Sequence, residues 1–65
     1  MEIIEARKKA RYSQEAAAGE LGISRPTYAK LEKNPEIIEM GMARKMAELF
    51  GVSIDELNFF SSDCN

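Results

Sequence analysis

Residues 14–33 read QEAAAGELGISRPTYAKLEK, and Ser13 stands immediately before them. Two helical stretches meet here, at about 14–21 and 24–33, joined through Leu21-Gly22-Ile23-Ser24. Ser13 and Ser24 are candidate N-caps, whose hydroxyls accept from a first-turn backbone N–H. Pro26 falls in the first turn of the second stretch, where its missing N–H costs nothing. Gly22 can take the left-handed position that closes the first stretch. Ala18 is small where the two helices would cross, Ile23 plugs the corner, and Leu21, Tyr28 and Leu31 anchor both helices to a core. Gly19 inside a helix costs about 1 kcal/mol relative to Ala. That cost predicts a packing reason: a bare backbone that another helix approaches closely. Asn34 tolerates the left-handed conformation that ends a helix, and Pro35 prevents continuation.

Outward from this segment the same signals recur. A first stretch runs over about 2–10, with Ile3, Ile4 and Ala6 facing inward together with Ala10. A fourth runs over about 40–50, where Met40, Ala43, Met46, Ala47 and Phe50 recur at helical spacing and Gly51 stops the helix. A fifth is predicted over about 54–60. Ser53 and Glu56 have capping-box spacing, and Val52 and Leu57 the spacing of a hydrophobic staple. No period-2 strand is evident. Helices this short cannot stand alone in water. They must share one core, so the reading is an all-α, five-helix bundle. It forms a single domain over 1–65, with a core of about 3–60 and a frayed tail at 61–65.

The composition excludes several functions. A chain of 65 residues allows one small domain, which buries roughly 60% of the surface its unfolded chain exposes. There is no His, and the one Cys, Cys64, is an incidental tail thiol, so neither a disulfide framework nor a thiolate metal site is available. No nucleophile elbow or phosphate-binding glycine loop is present. Asp55 and Glu56 read as first-turn charges on the fifth helix. No enzyme and no cofactor is therefore expected. No apolar run approaches the roughly 20 residues of a membrane span, and no signal peptide is visible, so the expected location is the cytoplasm, at the nucleoid, without membrane contact. The formal charge is −2. It divides into +2 over residues 1–33, with seven cations against five anions, and −4 over 34–65, with two against six. Such a split fits a one-sided polyanion-binding face, and it also fits scatter in a small sample.

A tight glycine-containing turn between two short helices is helix-turn-helix geometry. The outward face of the second helix is then Arg25, Thr27, Ala29, Lys30 and Lys33, with no acidic residue before Glu32. Such a helix fits a DNA major groove with its N-terminal residues reaching base edges. Lys8, Lys9 and Arg11 are placed either to reach flanking phosphates or to form a solvated face. Met40, Met42 and Met46 read as core filler. Ile37 and Ile38 read as local core, with a protein contact as the alternative. Phe59 and Phe60 suit either the core or a dimer seam.

The chain resembles the phage-repressor, or Xre/Cro-type, helix-turn-helix family over about residues 3–59. The resemblance runs through Ala-Arg-Lys-Lys at 6–9, Tyr-Ser-Gln-Glu at 12–15, Leu-Gly-Ile-Ser-Arg-Pro-Thr at 21–27, Lys-Leu-Glu at 30–32, and Met-Ala-Glu-Leu-Phe-Gly-Val-Ser-Ile-Asp-Glu-Leu at 46–57. It implies a five-helix bundle whose second and third helices read DNA. It assigns base reading to Ser24, Arg25, Thr27, Ala29 and Lys30, a flanking phosphate contact to Lys33, and to Gln14 a phosphate contact that also braces the reading helix. It implies that Arg7 and Glu32 form a structural ion pair between the first and third helices. The expected function is that of a sequence-specific double-stranded DNA-binding transcriptional regulator, a repressor, that forms a homodimer at least on DNA. The alternative is a protein-interaction module, antitoxin-like or regulator-binding, for which DNA is secondary and a protein partner is primary.

The departures from the family pattern are specific. Arg11 and Asn34 stand where the family usually has Gly. Ala17 replaces a larger apolar residue and Tyr28 a β-branched one. Pro35-Glu36-Ile37-Ile38-Glu39 replaces polar or basic residues that would touch the DNA backbone, and two carboxylates there would weaken affinity.

Overall fold

Serines and carboxylates open the first three helices, and left-handed residues close three of the four. The computed structural model describes residues 1–59. Four α-helices follow in order, α1 (Ile3–Lys9), α2 (Gln14–Leu21), α3 (Arg25–Lys33) and α4 (Met40–Phe50), with single 3₁₀ turns at Pro35–Ile37 and Ile54–Glu56. Among the described residues there is no strand, and no helix is long and apolar enough to cross a membrane. The Ser13 hydroxyl accepts from the Ala16 N–H at 3.0 Å, and the Ser24 hydroxyl from the Thr27 N–H at 3.3 Å. The Glu5 carboxylate accepts from the Glu2 N–H at 3.0 Å and opens α1.

The helix ends share one geometry. Arg11, Gly22 and Gly51 have φ of 66°, 75° and 72°. After each, the next N–H reaches back five residues: Tyr12 to the Arg7 carbonyl at 3.1 Å, Ile23 to Ala18 at 3.0 Å and Val52 to Ala47 at 3.0 Å. Each closing residue then turns a half-buried apolar side chain back onto the core. Asn34 does not join them. Its φ is −129°, because a proline at the next position pushes the residue before it out of the helical region toward extended backbone.

The fifth helix is not formed as predicted. The Ser53 N–H does donate to the Glu56 carboxylate at 2.8 Å, but the segment is a three-residue turn and Leu57 is already extended. The backbone there has other partners. The Met1 nitrogen donates to the Glu56 carbonyl at 2.8 Å, and the Asn58 N–H donates to the Met1 carbonyl at 2.8 Å. The start of the chain thus takes the hydrogen bonds that further helical turns would have used. Phe60 and the tail at 61–65, including Cys64, lie outside the described residues.

The core gathers Ile3 and Ala6 from α1, Ala17, Ala18 and Leu21 from α2, Tyr28 from α3, Met46, Ala47 and Phe50 from α4, and Leu57. Tyr28, Ile3 and Met46 are its largest fully buried side chains. The Tyr12 and Phe50 rings meet at 6.2 Å and 55°, a tilted pair within the favourable range. Phe59 packs on this core from outside, as do Ala10, Met42 and Ile38. Three inward expectations are corrected. Ile4 is 42% exposed, one residue round the helix from the buried face formed by Ile3 and Ala6, and Met40, the first residue of α4, is 63% exposed. Ile37 is 51% exposed, lifted outward by the 3₁₀ turn that Pro35 starts. Gly19 is exposed and a Cβ built on it would meet nothing within 4 Å, so no helix approaches it.

Candidate nucleic-acid interface

One carboxylate ties the first three helices together. Glu32 on α3 takes the Arg7 Nε of α1 on its Oε2 at 2.6 Å and the Gln14 Nε2 of α2 on its Oε1 at 2.8 Å. The Arg7 and Glu32 side chains are 11% and 3% exposed, so solvent screens this pair little. Arg7 Nη1 also donates to the Tyr12 carbonyl at 2.8 Å, which ties the turn after α1 to the same cluster. The Tyr28 hydroxyl is buried in the core and has no hydrogen-bond partner among the described residues. Burial, with the Glu32 carboxylate beside it, pushes this phenol above the ordinary tyrosine range and keeps it neutral.

With Tyr28 turned inward, α3 presents its other side to solvent. Pro26, Ala29, Lys30 and Lys33 line a shallow concavity there together with Gln14, Ile4 and Glu32. Among the expected base-reading and phosphate-contacting residues, the structure brings Gln14, Ala29, Lys30 and Lys33 into this one surface. Gln14 spends one amide hydrogen on Glu32 and keeps a second donor.

The remaining residues stand elsewhere. Arg25 is exposed at the first residue of α3, beside the concavity rather than in it. Ser24 works as the cap: its hydroxyl accepts from the Thr27 N–H and donates to Thr27 Oγ1 at 2.8 Å. Its donor is therefore occupied. Thr27 turns toward a second groove with Ile23, Leu31, Ile37, Ile38 and Met42. Arg11 is exposed at the end of α1 with its backbone in the left-handed region. Two residues of the concavity, Pro26 and Ile4, were not among the sequence-derived site residues. Pro26 had a visible signal, since it lies three residues before Ala29 and four before Lys30 and so shares their helix face. Ile4 had none, because an isoleucine next to Ile3 reads equally well as core.

Two helices joined by a left-handed glycine, the second capped by serine and carrying an exposed cationic face, form a helix-turn-helix. Residues 3–57 match the model of a helix-turn-helix family. The chain belongs to the phage-repressor, Xre/Cro-type helix-turn-helix family. No curated protein and no solved structure matches it. Membership makes the chain a DNA-binding domain, with α2 and α3 as the helix-turn-helix pair. Members of the family are DNA-binding regulators rather than enzymes.

Proposed function

We propose that this Xre/Cro-type protein is a sequence-specific regulator of transcription that acts as a repressor on double-stranded DNA, with α3 lying in the major groove. One observation carries the reading: Glu32 locks α3 to both α1 and α2, so the face bearing Arg25, Ala29, Lys30 and Lys33 is held rigidly outward. A rigid helix loses little conformational freedom on docking, and groove-wide side chains can then discriminate bases. Arg25, at the N-terminal end of α3, makes the specific contact to a guanine edge. Gln14, Lys33 and Arg11 hold phosphates. Ser24 supports reading through the cap, by fixing the start of α3, and Thr27 shares that role. The protein binds as a homodimer, at least on DNA, to a roughly two-fold symmetric site.

The test is selection of binding sequences from a random duplex library at physiological salt. A short symmetric motif is expected. On that motif Arg25→Ala loses about 1–3 kcal/mol and flattens one position, while Lys30→Ala lowers the salt slope by about one unit if Lys30 touches phosphate alone. Absence of any enriched motif rejects sequence reading. A second reading rests on Ile37 and Met40, which are exposed beside Glu36 and Glu39. This apolar, acidic edge suits a protein partner. A stoichiometric partner retained through purification, with DNA binding that is weak and nonspecific, would favour it.

A further inference from the structure

Tyr28 carries a buried polar group that the Arg7–Glu32 cluster leaves unused. It stands one helical turn before Glu32, and residues four apart share a helix face. Tyr28 is fully buried, and the Glu32 side chain is 3% exposed. The Glu32 and Arg7 side chains both act on the phenol, so its hydroxyl lies near the two charges. Yet that hydroxyl has no hydrogen-bond partner among the described residues. An unmade bond in an otherwise satisfied buried cluster calls for an explanation.

Glu32 has room for another donor. A carboxylate offers about four acceptor sites, and the bonds to Arg7 Nε and Gln14 Nε2 fill one on each oxygen. These two partners differ. Arg7 is buried between helices, whereas Gln14 is half-buried at the first residue of α2 and lines the concavity beside Lys30 and Lys33. An amide that serves Glu32 and a phosphate together brings two anions to one neutral group. Release of Glu32 removes that repulsion, provided another donor replaces the amide on the buried carboxylate. We infer that the Tyr28 hydroxyl is a reserve donor for Glu32, which replaces the Gln14 amide when a DNA phosphate draws that amide away and so keeps the carboxylate aimed at Arg7. The inference rests on the phosphate contact proposed for Gln14. It makes Tyr28 a positioning residue for DNA binding that never touches DNA. A β-branched residue or phenylalanine at this place would fill the core without supplying the donor.

The test is a cycle of Tyr28→Phe and Gln14→Met, read by denaturant unfolding of the free protein and by duplex binding. In the free protein Tyr28→Phe alone removes an unpaired group, so the denaturation midpoint stays or rises. In the Gln14→Met background the hydroxyl is already bonded to Glu32, and the same change lowers the folded-to-unfolded ratio about tenfold. On DNA the pattern reverses. Tyr28→Phe alone weakens binding about tenfold, the factor for one hydrogen bond to a charged group, with an unchanged salt slope because no cation is lost. In the Gln14→Met background it costs no further affinity. Should Gln14→Met fail to fold, Gln14→Asn, whose shorter amide withdraws from Glu32, takes its place. The inference is overturned if Tyr28→Phe destabilises the free protein, if the two changes add in either measurement, or if Tyr28→Phe binds DNA undiminished. Phosphate is alike in every sequence, so the cycle is run on a mixed-sequence duplex as well as on the selected site. Absence of an enriched motif then rejects base reading alone, and additivity on the mixed duplex rejects the exchange alone.

Discussion

The ends of α1 and α2 make the same turn with different residues. Gly22 closes α2 at φ 75°, and Arg11 closes α1 at φ 66°. In both, the following N–H reaches back five residues at about the same distance, 3.0 Å from Ile23 and 3.1 Å from Tyr12. Glycine takes this conformation freely, whereas a residue with a Cβ gives up about 1–2 kcal/mol. Among the described residues, the α1 turn alone of the two has a side-chain hold in addition: Arg7 Nη1 bonds the Tyr12 carbonyl, and Glu32 holds Arg7. A strained residue persists where its surroundings over-determine it. The comparison thus teaches that the ion pair does two jobs, orienting α3 and fixing the turn that presents Arg11.

The largest expected effect comes from breaking that hold. Arg7→Met leaves the Glu32 carboxylate buried without its cation, and one-sided removal of such a pair costs about 3–5 kcal/mol. For a domain this small that is a large part of the total stability, so denaturant titration is expected to show a mostly unfolded protein. Arg7→Met/Glu32→Leu removes both charges and should recover much of the loss. A single variant that costs under about 1 kcal/mol would show that the pair holds neither α3 nor the turn, and the contrast between the two helix ends would lose its cause.

Gly22→Ala probes the other side. A Cβ there meets nothing within 4 Å, so any loss comes from the backbone angle alone. The expected cost is about 1–2 kcal/mol, read as a lower denaturation midpoint with unchanged slope. No loss would mean that the α2 turn has slack, and the strain assigned to Arg11 would need another explanation.

These ends were legible because their signals are local. Ser13, Ser24, Gly22 and Gly51 each act within a few residues, and the structure uses every one of them. Pro35 was read correctly as a stop, yet its effect on Asn34 was underestimated: it removes the left-handed option that asparagine would otherwise have. The fifth helix failed for a nonlocal reason. Its capping pair is present, but Met1 supplies the backbone partners that end it after one turn. The three adjacent alanines of α2 carry no periodicity. Nothing in that run says that Ala16 faces solvent while Ala17 and Ala18 are buried, and Gly19 inherited a packing role it does not have. At the candidate site, the helix face was readable from spacing, whereas the capture of the Ser24 hydroxyl by Thr27 and of Gln14 by Glu32 depends on rotamers and tertiary contacts. Ala17 and Tyr28, small and large departures from the family pattern, both end fully buried in one cluster, so the core closes with a different distribution of volume.

Arg11→Gly should work in the reverse direction from Gly22→Ala. Relief of about 1–2 kcal/mol is partly offset by the greater freedom of glycine in the unfolded chain. The net gain is about 0.5–1 kcal/mol by thermal or denaturant unfolding. If Arg11 contacts a phosphate, the same variant binds DNA more weakly, with a salt slope smaller by about one unit. A variant more stable and equally tight on DNA would leave the arginine without a role that explains its strain.

Gly19→Ala has a stability effect as small as that of Arg11→Gly, with no change in DNA binding expected, and isolates the helix from the turn. Gly19 lies inside α2 without a positive φ, and a Cβ there meets nothing. The substitution changes only intrinsic helix preference, a gain of about 0.5–1 kcal/mol at an exposed interior position. Gly19→Ala and Arg11→Gly would then both stabilise the protein by opposite exchanges, since glycine is costly within a helical turn and favoured past its end. Additivity of the two in a double variant is expected, because they share no hydrogen-bond partner. A loss of stability in Gly19→Ala would mean that α2 is packed more closely than the open space around Gly19 indicates. The prediction of a close helix approach would then be restored.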